Sequence, residues 1–125
     1  MIRTLIPALI LIAGSAAGTP VWAQSQTQMN ATAARDARSA DQNLNTQYAA
    51  TMGRLSPPSR TLLRAAQRSW IAFRDQQCRF EASGSQGGSA QPMVLSGCVA
   101  RLTTDRTREL RRLAQCEEGD LSCPQ

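Results

Sequence analysis

Residues 65–78 read AAQRSWIAFRDQQC, and their spacing decides the fold. Trp70, Arg74 and Cys78 recur every fourth residue, so on a helix an aromatic ring, a guanidinium and a thiol lie one turn apart along one side. Twenty residues beyond Cys78 comes Cys98, at the start of a second helical stretch that contains LTTDRTREL. Between them SGSQGGSAQP, residues 83–92, holds three glycines and a proline and reads as a loop. Two antiparallel helices tied by a disulfide near their shared loop follow from this arrangement.

Working outward, the helix that carries Trp70 is expected over about 57–82. Ser56 is placed to cap it and Pro57 suits its first position. Its expected core stripe is Leu62 or Leu63, Ala66, Trp70, Phe73, Gln77 and Phe80. The third helix is expected over about 93–114, with Leu95, Val99, Leu102, Arg106, Leu110 and Leu113 on one side. Upstream, Met29, Ala33, Ala37, Leu44, Tyr48, Met52 and Leu55 repeat at spacings of 3, 4 and 7, which predicts a helix over about 29–54. Residues 24–28 fall outside that expected helix, and Asp41 lies on its stripe. No stretch alternates with period two, so the fold class is all-α: a small antiparallel bundle of three helices stapled by disulfides.

The N-terminus reads as an export signal. Arg3 supplies a positive start, Leu5 to Ala13 is apolar, and Val21-Trp22-Ala23 fits the small-x-small rule for cleavage. The apolar run is too short for a permanent membrane anchor. Gln24 follows the cleavage point, so no cysteine is placed there for lipid attachment. The expected division is a signal peptide over 1–23 and a single helical domain over 24–125, periplasmic or secreted. Every one of the 14 basic residues is an arginine. Cleavage removes Arg3, which leaves thirteen arginines against nine acidic residues, a net charge of +4.

Four cysteines in an exported chain of this size point to a disulfide framework. Cys78 and Cys98 flank the glycine loop at similar height, and Cys116 and Cys123 both follow the third helix. The expected pairs are therefore Cys78–Cys98 and Cys116–Cys123. Joining Cys98 to Cys116 would span the length of one helix, about 27 Å at 1.5 Å per residue. A zinc site is disfavoured, since there is no Cys-x-x-Cys pair and no histidine.

Asp41, Gln77 and Arg106 fall where core residues are expected, with Arg74 and Asp75 beside them. Buried charge is costly unless paired. The expectation is an ion-pair cluster across the helices formed by Asp41, Arg74, Asp75 and Arg106, with Arg106 reaching Asp41 or Asp75. The same residues also read as a polar patch that grips a partner. An active site is the weakest reading: without histidine there is no base tuned near neutral pH, and no phosphate-binding loop or nucleophile motif is present. The chain is expected not to be an enzyme and to need no cofactor or metal. Gly87, Gly88 and Ser89 read either as a flexible connector or as a contact loop held by two rigid helices. The arginines at 60, 64, 68, 74 and 79 interleave with Trp70 and Phe73, but no nucleic-acid-binding motif accompanies them. They read as a solvated face, or as a face for anionic envelope surfaces.

The combined pattern resembles the lysozyme inhibitor LprI N-terminal domain family. Ala40-Asp41, Leu44-Asn45 and Tyr48 match its first-helix motif. Leu62-Leu63, Ala66-Gln67-Arg68, Trp70, Phe73-Arg74-Asp75 and Cys78 match its central motif. Gly87-Gly88-Ser89, Cys98, Thr103, Arg106-Thr107 and Glu109-Leu110 complete it, so that the likeness covers about residues 29–113. The resemblance implies an exported, helical, disulfide-bonded protein with a protein partner, a lysozyme. Many lysozymes are cationic, and Glu117, Glu118 and Asp120 are the acidic patch that would meet one.

Overall fold

A computed structural model describes residues 21–117 and 119–124. Three helices account for most of them: α1 spans Val21–Met52, α2 Pro57–Ala82 and α3 Gln91–Ala114. A short 3-10 turn, Ser83–Ser85, follows α2. The expected boundaries of α2 hold, and α3 begins two residues early because Pro92 enters its first turn. Ser56 occupies the α2 N-cap with extended backbone, but its side chain makes no cap bond to a backbone N–H. Its hydroxyl donates to that of Ser59 at 3.3 Å.

The largest departure is at the start of α1. Residues 24–28 are helical, not a tail outside the bundle. The Gln26 amide donates to Asn30 one turn on, at 2.9 Å, and the Asn30 amide donates to the Ser89 carbonyl at 2.9 Å. This end of the helix is held by polar contacts to the loop before α3, which a search for apolar periodicity does not detect.

Cross-helix bonds fix the topology. Asn30 meets Ser89, Thr51 donates to the Leu110 carbonyl at 3.2 Å, and Arg54 donates to the Ala114 carbonyl at 3.1 Å. Numbers rise together, so α1 and α3 run parallel. Gln67–Arg106, Arg74–Thr103 and Cys78–Cys98 show the opposite trend, so α2 runs antiparallel to α3. The closest pairing is α1 with α3. Small side chains permit it: Ala40 and Thr51 on α1, and Thr103 and Thr107 on α3, are buried. Their hydroxyls all find partners: Thr51 shares its one proton between the Leu110 carbonyl and the Gln47 carbonyl at 2.9 Å, Thr107 donates to the Thr103 carbonyl at 3.0 Å, and Thr103 accepts from α2. Leu44, Leu55 and Leu110 supply most of the aliphatic core.

Both cysteine pairs are bonded as expected, Cys78–Cys98 and Cys116–Cys123, each with Cα atoms 5.5 Å apart. Cys78 and Cys98 are buried, so this bond lies inside the α2–α3 seam. Among the described residues no helix is long and apolar enough to cross a membrane. Residues 1–20, on which most of the signal-peptide reading falls, lie outside the described residues.

Candidate functional site

The face that α2 turns inward is not its most apolar one. Gln67 and Cys78 are buried, Trp70 is half-buried, and the Arg74 side chain is only 13% exposed. Leu62, Phe73 and Phe80, expected in the core, are 71%, 55% and 73% exposed. The helix is rotated by roughly 100° from the apolar reading, one residue step at 3.6 residues per turn. The cause is Arg74, whose guanidinium finds partners on all three helices and draws its own side of α2 inward.

The Arg74 Nη1 donates to Asp41 Oδ1 of α1 at 2.8 Å and to the Thr103 hydroxyl of α3 at 3.2 Å. Its Nε donates to Asp75 Oδ1 at 2.9 Å. Its guanidinium also stands 5.4 Å from the centre of the Trp70 ring, within cation–π range. Arg106 approaches the same ring at 5.9 Å. The indole is thus shared by two cations, one from its own helix and one from α3.

The expected pairing of Arg106 with Asp41 or Asp75 is corrected here. Arg106 donates from Nε to Gln67 Oε1 at 3.0 Å and from Nη1 to Glu109 Oε2 at 2.7 Å. Its side chain is 10% exposed. Glu109 lies three residues ahead on the same helix, a nearer partner than either aspartate, and Arg74 already occupies both of those. Gln77 does not join the cluster; it donates to Glu81 Oε1 at 3.0 Å. Gln67, Thr103 and Glu109 were not expected in the cluster. Gln67 and Arg74 bracket Trp70 at helical spacing, and that was the available signal.

No buried side-chain nitrogen or oxygen among the described residues lacks a hydrogen-bond partner. The buried donors and acceptors of the cluster are satisfied, and its bonds tie the three helices together. Around it lie outward-facing features. A groove between α1 and α2, about 390 Å³, is lined by Asp41, Tyr48, Arg64 and Arg68 among others. Arg101 of α3 clasps both carboxylate oxygens of Glu81 at 2.9 and 2.8 Å. The Gln77 amide and then the Arg101 guanidinium hold the Glu81 carboxyl below its ordinary value of 4.5.

At the top of the bundle Gly87, Gly88 and Ser89 are exposed. Gly87 has φ +76°, a left-handed conformation that favours glycine. Its N–H donates to Gln91 Oε1 at 3.1 Å, and the Gly88 N–H donates to the Ser85 carbonyl at 2.9 Å. With the Asn30 bond to Ser89, the loop is pinned from three directions. At the other pole the Cys116–Cys123 loop carries Glu117 and Asp120, while Glu118 lies outside the described residues. The Ser122 hydroxyl and backbone N–H both donate to Asp120, at 2.7 and 2.8 Å, and hold its carboxyl below the ordinary 3.8. Among the described residues no group of His, Cys, Asp and Glu is arranged to hold a metal ion.

An uncharacterized protein of Rhizobium meliloti (strain 1021) is 37% identical over 110 residues, covering 78% of this chain and 79% of its own length. No solved structure matches. A sequence model of the family described as lysozyme inhibitor LprI matches residues 18–110, which takes in the whole three-helix cluster and the Cys78–Cys98 bond and leaves out the Cys116–Cys123 loop. A helical hairpin locked by Cys78–Cys98, with Arg74 tying it to α1, is therefore the form taken here by a chain that belongs to the LprI family.

Proposed function

We propose that this protein is exported, loses residues 1–23 and then binds and inhibits a lysozyme in the envelope. The family match over residues 18–110 carries this reading. The sequence of the N-terminus and the oxidised cysteines support the exported location. The internally satisfied cluster supports a rigid binding protein over a catalyst. Asp41, Arg74, Asp75 and Arg106 then serve the shape of the binder. Gly87, Gly88 and Ser89 serve as its contact loop. Lysozyme cleaves its glycosidic bond between two carboxylates in a cleft, and a pinned loop projecting from one end of a bundle suits entry to such a cleft. Glu117 and Asp120, at the opposite pole, offset part of the net positive charge that a cationic enzyme would meet at long range.

Purified processed protein mixed with several lysozymes, with cell-wall lysis as readout, tests the reading. Inhibition that Gln86→Arg and Ser89→Arg together weaken at least tenfold supports both the role and the loop. Undiminished lysis at large molar excess over every lysozyme removes the role.

One observation favours a second reading. Among the described residues Arg64, Arg68, Arg79 and Arg112 are exposed and make no ion pair. Free guanidiniums suit anionic lipid or lipopolysaccharide. Vesicle binding that weakens with salt, in a protein that leaves every lysozyme active, would favour a structural or stress-related envelope role.

A further inference from the structure

The rotation of α2 leaves a row of side chains facing water at Leu62, Ala66, Ser69, Phe73, Gln76 and Phe80, all exposed. Their spacing is 4, 3, 4, 3 and 4, the seam pattern of a two-stranded coiled coil. The row runs about 27 Å along the helix. It holds two of the largest exposed apolar groups of the domain, Phe73 and Phe80, and no charge.

We infer that this seam closes against the same seam of a second copy, with the two α2 helices antiparallel about a twofold axis near residue 71. The face is complementary to itself in that register. Phe73 falls over Ser69 of the second copy, Ala66 faces Gln76, and Leu62 faces Phe80. A bulky side chain meets a small one in the central layers. The outer layer has a further fit. Next to Leu62 lies an apolar pocket of about 270 Å³, lined by Leu55, Leu62, Leu63, Ala66, Leu113 and Pro124 among others. A cavity of roughly 150 Å³ is enough for a benzene ring, so the pocket admits the Phe80 ring of the second copy. Twofold symmetry repeats the insertion at the other end.

Charge does not oppose the pairing. On the outer flank of the seam stand Ala65, Ala72 and Arg79, and in this register Arg79 faces Ala65 of the second copy, so like charges do not meet. The alanines let the helices approach closely. The contact would bury on the order of 1,000 Å² in total, the lower bound for a specific interface. The dimer is therefore weak and concentration-dependent, and independent of any lysozyme contact at the glycine loop.

Sedimentation of the processed protein from about 10 µM to about 1 mM tests this, a range suited to interfaces near that lower bound. The weight-average mass should rise toward that of a dimer. Phe80→Glu and Leu62→Lys should each raise the dimer dissociation constant at least tenfold. Both sites are exposed, so circular dichroism should show unchanged helix. An equimolar mixture of the two variants should recover association, because the carboxylate introduced at position 80 of one then faces the ammonium introduced at position 62 of the other, and does so across the seam only in the antiparallel register. A wild-type protein that stays monomeric throughout overturns the inference, as does a dimer indifferent to Phe80→Glu or a mixture that fails to associate. A monomeric wild type whose lysozyme inhibition is lost on Phe80→Glu overturns it too, and assigns the face to the enzyme.

Discussion

Replacing Arg74 by Met is expected to destabilise the bundle by about 3 kcal/mol. Met keeps much of the aliphatic volume, so the cavity left is small and the loss is mainly polar. The bond to Asp41 joins α2 to α1. A charged hydrogen bond contributes about 1.5–3 kcal/mol, and the lower figure applies because the Asp41 side chain is 46% exposed. The bond to Thr103 joins α2 to α3 and ends on a fully buried hydroxyl, worth about 1 kcal/mol. Loss of the cation over Trp70 adds about 0.5–1 kcal/mol. The bonds to Asp75 are left out, because that residue is the next one on the same helix and ties nothing across the bundle. Against the usual stability of small domains, such a loss lowers the melting temperature by on the order of 15 °C. Arg74→Lys should lose about half as much, since a point charge reaches fewer partners. Thermal and urea denaturation followed by far-ultraviolet circular dichroism gives the numbers. A double-mutant cycle of Arg74→Met with Asp41→Asn should show coupling of at least about 1 kcal/mol. A cost under about 1 kcal/mol for Arg74→Met, or strict additivity in the cycle, would refute the claim that Arg74 ties the helices together.

The two disulfides should differ sharply in effect. Cys78→Ala with Cys98→Ala should cost about 3 kcal/mol by loop entropy, whereas Cys116→Ala with Cys123→Ala should shift the melting temperature by no more than about 2 °C, because its loop closes outside the cooperative bundle. Gly87→Ala should cost about 1 kcal/mol at its positive φ, while Gly84→Ala, whose Cβ meets nothing within 4 Å, should be neutral in the same melts. The folded carboxyl of Glu81 is depressed, so its contribution is present above 4.5 and fades as pH falls below that value. Glu81→Gln should therefore flatten the acid side of the stability profile and leave the shape near neutral pH unchanged; an identical acid limb in both proteins would remove Glu81 from that account.

Helix count, the α2 limits and both cysteine pairs were legible because punctuation and spacing encode them directly: Ser56-Pro57, the glycine loop, and cysteines at matching heights. The face of α2 was not legible in the same way. Apolar periodicity favours burying Phe73 and Phe80, and it has no means of weighing an arginine that satisfies partners on three helices at once. Knowing that Arg74 belongs inside required knowing that Asp41 and Thr103, at positions 33 residues before and 29 after it, arrive beside it. The partner of Arg106 was misread for the same reason, since local pairing with Glu109 becomes decisive only once Arg74 has taken the aspartates. The first turns of α1 escaped notice because amides, not apolar side chains, hold them down.

The parallel contact of α1 with α3 sets an order on assembly. Residues 59 apart in sequence must meet, as at Thr51 and Leu110, whereas the α2–α3 hairpin closes over a separation of 20 at its disulfide. Loop closure favours the shorter span, and contact order makes the longer one slow. The helix made first on the ribosome is thus the last to find its place. Its buried residues, Ala40, Thr51 and one leucine, Leu44, suit that wait. An inward side so sparing of large apolar groups offers little for aggregation while its partner is still being synthesised.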